Sequence, residues 1–89
     1  MDTDKGKIEQ FKKQLDKHYR FPTRYLFKFI VPEKQVDKLK EIIPDGKIET
    51  RKSKNGRYIG VTIKLSVKSS EEIISIYQDA YAVEGIISL

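Results

Sequence analysis

Asn55-Gly56 sits between two stretches of alternating character, and that arrangement restricts the fold more than any other feature of the chain. Both residue types tolerate positive φ, which two-residue hairpin turns require. With this pair as the turn, Ile48 falls opposite Ile63 and Thr50 opposite Val61. Ile59, Val61, Ile63, Leu65 and Val67 alternate with Tyr58, Gly60, Thr62, Lys64 and Ser66. The register therefore sets apolar against apolar. A slip of one residue would turn one strand inside out, so turn and pattern fix the same pairing. Residues 47–67 are predicted to be a hairpin with one face toward a core.

The rest of the chain supplies what that face packs against. Ile8, Phe11, Leu15 and Tyr19 recur at helical spacing and predict an amphipathic helix over residues 1–20, with one narrow apolar stripe. Phe21-Pro22-Thr23 ends it, because Pro22 disfavours helical geometry at the residue before it. Residues 24–31 are aromatic and β-branched and predict a strand, with Phe27 and Phe29 toward the core and Leu26, Lys28 and Ile30 on the wetter face. Pro32 is expected to open a second helix, with Val36, Leu39, Ile42 and Ile43 inward and Pro44-Asp45-Gly46 as its stop. Ser69 and Glu72 have capping-box spacing before a third helix, whose inner face carries Ile73, Ile76, Tyr77 and Ala80. Ile86-Ile87-Ser88-Leu89 predicts a short edge strand after Gly85.

The succession is helix, then β-α-β-β-α-β. It predicts an α+β fold, the ferredoxin-like βαββαβ plait: a four-stranded antiparallel sheet with two helices on one face, plus an N-terminal amphipathic helix. The first and third strands, the most apolar, are expected at the centre. The division is residues 1–20 as a helical extension and 21–89 as the plait domain. At 89 residues one domain is the ceiling.

Several classes of chemistry lack their residues. There is no Cys, which removes disulfides, thiolate nucleophiles and Cys-containing zinc sites. The single His18 lies in a charged helix and excludes a multi-histidine metal site within one chain. There is no Gly-x-Ser-x-Gly, no phosphate-cradling loop and no His-Glu-x-x-His. Carboxylates scatter along helix faces instead of pairing in an apolar setting. The expectation is a protein that is not an enzyme and uses no cofactor. No apolar run approaches the ~18 residues of a spanning helix and no secretory leader is visible, so the expected location is the cytoplasm.

Charge points to a surface. Residues 24–57 hold ten basic and five acidic side chains, whereas residues 58–89 hold two and four. The focus is the hairpin, where Lys47, Arg51, Lys52, Lys54 and Arg57 face Glu49 alone. In the predicted register Lys28, Lys47, Arg51 and Lys64 project from the sheet face without helices. With Lys54, Arg57 and Tyr58 they form a candidate surface for a partner or an anion. RNA-binding sheets of this kind need aromatic platforms on both central strands. Here Tyr58 alone is offered, with Gly60 where a second ring would stand. A second candidate interface is apolar: Phe11 and Leu15 on the first helix, Leu26 and Ile30 on the first strand. A protein partner, a homodimer and, as the alternative, nucleic acid are the expected classes. The narrow stripe and acidic neighbours of the first helix argue against a membrane surface.

Phe21-Pro22-Thr23 before an aromatic strand, Ser53 to Tyr58 followed by Val61-Thr62-Ile63, and the ending Val83 to Leu89 together resemble the YbeD-like domains of unknown function from bacteria. The resemblance covers residues 20–89. It implies a ferredoxin-like fold similar to ACT regulatory domains, a bacterial cytoplasmic setting, and a regulatory role connected with lipoate metabolism. It implies no catalytic residues. ACT domains receive amino acids at a Pro-Gly turn after the first strand. Val31-Pro32-Glu33 stands there in this chain, and Glu33 stiffens the turn and sets a negative charge beside any carboxylate. The expected function is a small regulatory or adaptor domain acting through protein contacts, with a small anionic ligand as an accessory. The alternative is a nucleic-acid module using the basic hairpin.

Overall fold

A computed structural model describes residues 2–54 and 56–89. The elements run α1 (Asp2–His18), β1 (Thr23–Pro32), a 3-10 turn (Glu33–Gln35), α2 (Val36–Ile42), β2 (Lys47–Lys52), β3 (Tyr58–Val67), α3 (Ser70–Ala80) and β4 (Ile87–Ser88). The fold is α+β, with three helices and one antiparallel sheet of four strands in the order β2-β3-β1-β4. The two most apolar strands, β1 and β3, are the central ones, because only central strands bury a face along their whole length.

The hairpin register is as expected. Lys47 pairs with Lys64, Ile48 with Ile63 and Thr50 with Val61. The turn itself differs. Ser53 N–H donates to Tyr58 O at 3.0 Å, and Gly56 N–H returns to Ser53 O at 3.1 Å. The tight turn thus closes over residues 53–56, one residue earlier than a two-residue turn at Asn55-Gly56 would close. The connection is centred on the same pair, so the strand partners are unchanged. Gly56 has φ +72°, which a glycine holds without a Cβ clash. Asn55 lies outside the described residues.

On β1, Phe27, Phe29 and Val31 are fully buried, and the β3 residues Ile59, Val61, Ile63 and Val67 line the same face. Leu39 and Ile43 from the second helical segment and Ile73 and Ala80 from α3 close over them in one core. Pro32 departs from expectation. It is the last residue of β1, opposite Tyr58, with extended geometry (φ −58°, ψ 143°), and α2 begins only at Val36. The strand continues because Glu33 N–H still donates to Arg57 O at 3.0 Å. Pro32 fits there because the nitrogens of even-numbered β1 residues point away from β3, so no ladder bond is lost.

Ser69 caps α3, its Oγ accepting from Glu72 N–H at 3.2 Å. After the helix, Gly85 has φ +79°, and a Cβ there would stand 2.8 Å from Pro32 Cγ. The chain needs glycine at this point to bring β4 alongside β1. β4 is shorter than expected, with two residues paired to Phe29 and Ile30.

α1 packs against α3. Leu15 joins the core at 4% exposure and Phe11 meets the Tyr77 ring edge-on at 5.8 Å. Ile8 and Tyr19, the ends of the apolar stripe, are more than a third exposed. Ile74, which lies off the α3 stripe read from the sequence, is buried. Among the described residues no helix is long and apolar enough to cross a membrane.

Candidate functional site

β pairing assembles a surface from residues distant in sequence. Directly opposed residues of paired strands point to the same face. Leu26, Lys64 and Lys47 therefore form one row across β1, β3 and β2 on the face without helices. Lys28, Thr62 and Glu49 form the next row, and Ile87, Ile30, Gly60 and Arg51 the one after. The result is a two-sided surface. Lys28, Lys47, Arg51 and Lys64 are exposed over β1 to β2, with Glu49 among them. Leu26, Ile87 and Leu89 lie toward β1 and β4, at 47%, 52% and 71% exposure, with Ile30 half-buried beside them. A shallow depression of about 280 Å³ lies between Leu26, Lys28, Lys47, Glu49, Thr62 and Lys64.

The remaining hairpin residues lie away from this face's centre. Lys52 pairs with Ile59, on the helix side of the sheet. Lys54 is exposed in the connection between the strands. Tyr58 stands at the start of β3, exposed, and with Arg57, Pro32, Glu33, Glu84 and others lines a cleft at the end of the sheet. Glu33 and Glu84 bring negative charge to the rim where the Tyr58 ring stands.

The two halves of the apolar candidate interface lie on opposite sides of the sheet. Leu26 and Ile30 belong to the open face, whereas Phe11 and Leu15 belong to the helical layer. Beside Phe11 runs a groove of about 690 Å³ between α1, α3 and the β4 side of the sheet, lined by Ile8, Tyr25, Ile74, Tyr77, Tyr81 and Leu89 among others. Sequence spacing had put Tyr77 on the inner face of its helix. Its ring is half-buried among Phe11, Phe27 and Phe29, and its hydroxyl meets that of Tyr25 at 3.3 Å. Burial, reinforced by the Tyr25 hydrogen bond, pushes the Tyr77 hydroxyl well above the ordinary tyrosine range. The half-buried phenol thus packs into an aromatic cluster with its hydroxyl on that of Tyr25.

Other charged groups at the helical layer are structural. Lys12 Nζ donates to Asp16 Oδ2 at 3.0 Å and lies 3.7 Å from Glu71. Those carboxylates raise the Lys12 ammonium, its hydrogen bond to Asp16 contributing most, and hydrogen bonds from Ser70 and Lys12 lower Asp16. Among the described residues no group of three or more His, Cys, Asp or Glu stands close enough to hold a metal ion. His18 ends α1, exposed to solvent.

Comparison with curated proteins and with solved structures gives no match. Residues 16–88 match the family described as "Protein of unknown function (DUF493)", and the YbeD-like resemblance agrees with it. The match begins inside α1, at the turn that carries Asp16 and follows the buried Leu15. It takes in the whole sheet, α2 and α3, and with them every residue of the open face except Leu89. The chain belongs to the DUF493 family of proteins of unknown function.

Proposed function

We propose that this chain is a small non-enzymatic regulatory or adaptor domain that works by protein contact through the open face of its sheet. We read the sheet as a ferredoxin-like plait similar to ACT domains, a reading supported by the strand order β2-β3-β1-β4. The cytoplasm of a bacterium and the lipoate connection of the YbeD-like domains are the setting that the resemblance suggests. The observation that carries the proposal is the open face itself. Exposed Leu26, Ile87 and Leu89 stand beside a cluster of four cations on one continuous surface. Apolar anchors rimmed by charge are the composition of protein interfaces.

Nucleic acid is the second reading, favoured by the same cations. Against it, the exposed ring of Tyr58 shares its cleft with two carboxylates, Glu33 and Glu84, which offset the cations Lys34 and Arg57 there. Sequence-tolerant strand binding draws on several stacked rings, each worth ~1–3 kcal/mol.

A photo-crosslinking residue placed at Ile30 tests the two. On the protein reading, the adduct formed in cells is a protein, survives nuclease, and disappears in a Lys28→Glu, Lys64→Glu double variant. On the nucleic-acid reading, single-stranded RNA binds with a log–log salt slope of roughly −3, and Arg51→Ala with Lys54→Ala flattens it by roughly 1.4, at about −0.7 per contact. That second result would overturn the proposal.

A further inference from the structure

β2 begins at Lys47, opposite Lys64, and the chain before it turns away through Pro44-Asp45-Gly46. Ser53 N–H donates to Tyr58 O, so the even-numbered residues of β3 aim their backbone groups toward β2. Ser66, two residues beyond Lys64, has no β2 residue opposite it. Its N–H and C=O point toward that gap, and among the described residues neither makes a backbone hydrogen bond there. The gap is a cleft of about 790 Å³ between the end of α2, the end of the sheet and α3. Ile42, Pro44 and Ile76 give it apolar walls, and Asp45 and Glu72 add two carboxylates. Three exposed cations border it: Arg24, Lys47 and Lys64.

Lys64 is the centre of the charge. Lys47 stands directly opposite it on β2, and Arg24 and Lys28 are its diagonal neighbours on β1, through the pairs Arg24–Ser66 and Lys28–Thr62. None of the four forms an ion pair among the described residues, although Glu49 is diagonal to Lys64 on β2. Like charges directly opposite destabilise a sheet, so an anion between Lys47 and Lys64 would relieve the pair. We propose that Arg24, Lys47 and Lys64, with the Ser66 N–H, bind the phosphoryl group of a small phosphate monoester. Such a group brings a charge of about −1.5 to −2 and three acceptor oxygens to three cationic donors, which a single carboxylate does not match. The carbon part of the ester has Ile42, Pro44 and Ile76 to lie on. Asp45 and Glu72 in the cleft and Glu49 on β2 repel a second phosphate, so one phosphoryl group fits better than a chain of them. The inference goes beyond the protein-contact reading above and stands without it.

The probe is phenyl phosphate, titrated into the full chain at neutral pH and constant ionic strength and read by amide chemical shifts. The amides of Lys47, Lys64 and Ser66 move together and saturate, while those of Lys52 and Arg57, at the other end of the hairpin, stay in place. Benzoate and the methyl phenyl phosphate diester, each with a smaller charge, bind the unaltered protein at least roughly tenfold more weakly. Arg24→Gln with Lys64→Gln weakens phenyl phosphate at least roughly tenfold. Lys38→Gln with Lys52→Gln removes the same charge outside the cleft and changes binding less than about twofold. The first pair of substitutions does not lower the urea midpoint, because it relieves the repulsion at Lys47, so the lost binding is not lost folding.

Equal binding of benzoate or of the diester would overturn the phosphoryl chemistry. Shifts spread over every exposed cation, or equal losses in the two double variants, would mean diffuse charge and overturn the site. An oligonucleotide or a phosphoserine peptide that moves the Ser66 amide at a roughly tenfold lower concentration than phenyl phosphate would give the cleft to a macromolecule and overturn the choice of ligand. Protein adducts at Ile30 without any response to phenyl phosphate would refute the cleft and leave the open-face reading standing.

Discussion

Leu15 is the point at which the first helix either belongs to the domain or does not, and truncating it measures which. The side chain is 4% exposed and sits within the same core as Phe27 and Ile73. Leu15→Ala removes three carbons from that site. At ~0.8 kcal/mol per buried CH₂ the transfer loss alone is about 2.4 kcal/mol. A residual cavity raises the total to roughly 2.5–4 kcal/mol. A chain of this length has a stability of roughly 4–13 kcal/mol at ~0.05–0.15 kcal/mol per residue, so the loss is a large part of the whole. For a domain of this size it lowers Tm by roughly 10–30 °C. Ile8→Ala is the internal control: Ile8 lies two turns earlier on the same stripe but is 37% exposed, and its truncation costs under about 1 kcal/mol. Urea unfolding followed by circular dichroism gives both numbers. Because Leu15 is buried within one chain, the midpoint of Leu15→Ala should not depend on protein concentration. A Leu15→Ala midpoint within about 0.5 kcal/mol of the parent, or equal to that of Ile8→Ala, would refute cis packing of α1.

Two further outcomes follow from single residues. Gly85→Ala forces a Cβ into left-handed geometry and toward Pro32 Cγ, and should cost about 2 kcal/mol or more in urea unfolding, with the loss of order greatest at β4; an unchanged midpoint would mean that Gly85 does not hold its φ of +79°. Tyr77 has its hydroxyl raised by burial and by Tyr25, so the folded chain keeps a proton that the unfolded chain releases near pH ~10. Stability is then complete below about pH 10 and falls as pH rises above it, and Tyr77→Phe should flatten that alkaline decline. Equal alkaline slopes in parent and variant would contradict the burial of the phenol.

The parts of the fold legible in sequence were those where two local signals agreed. The hairpin pairing followed from a turn dipeptide and an alternation that each implied the same partners, and Ile48 indeed faces Ile63. Ser69 as a cap followed from its spacing to Glu72. The parts that escaped were decided by tertiary contacts. Pro32 has the chemistry of a helix start, yet the sheet extends through it because Glu33 N–H finds Arg57 O and β1 needs no donor on its far side. Ile74 is off the helical stripe because α3 packs on α1 and α2 as well as on the sheet, and a stripe read for one neighbour misses the others. The length of β4 was not legible, since Gly85 against Pro32 sets where it can begin.

The candidate site divides in the same way. Lys28, Lys47, Arg51 and Lys64 were placed on one face by strand alternation alone, and the pairing of β1, β2 and β3 brings them together there. Phe11 and Leu15 were grouped with Leu26 and Ile30 only because all four are apolar residues whose packing sequence leaves open, and the fold sends them to opposite sides.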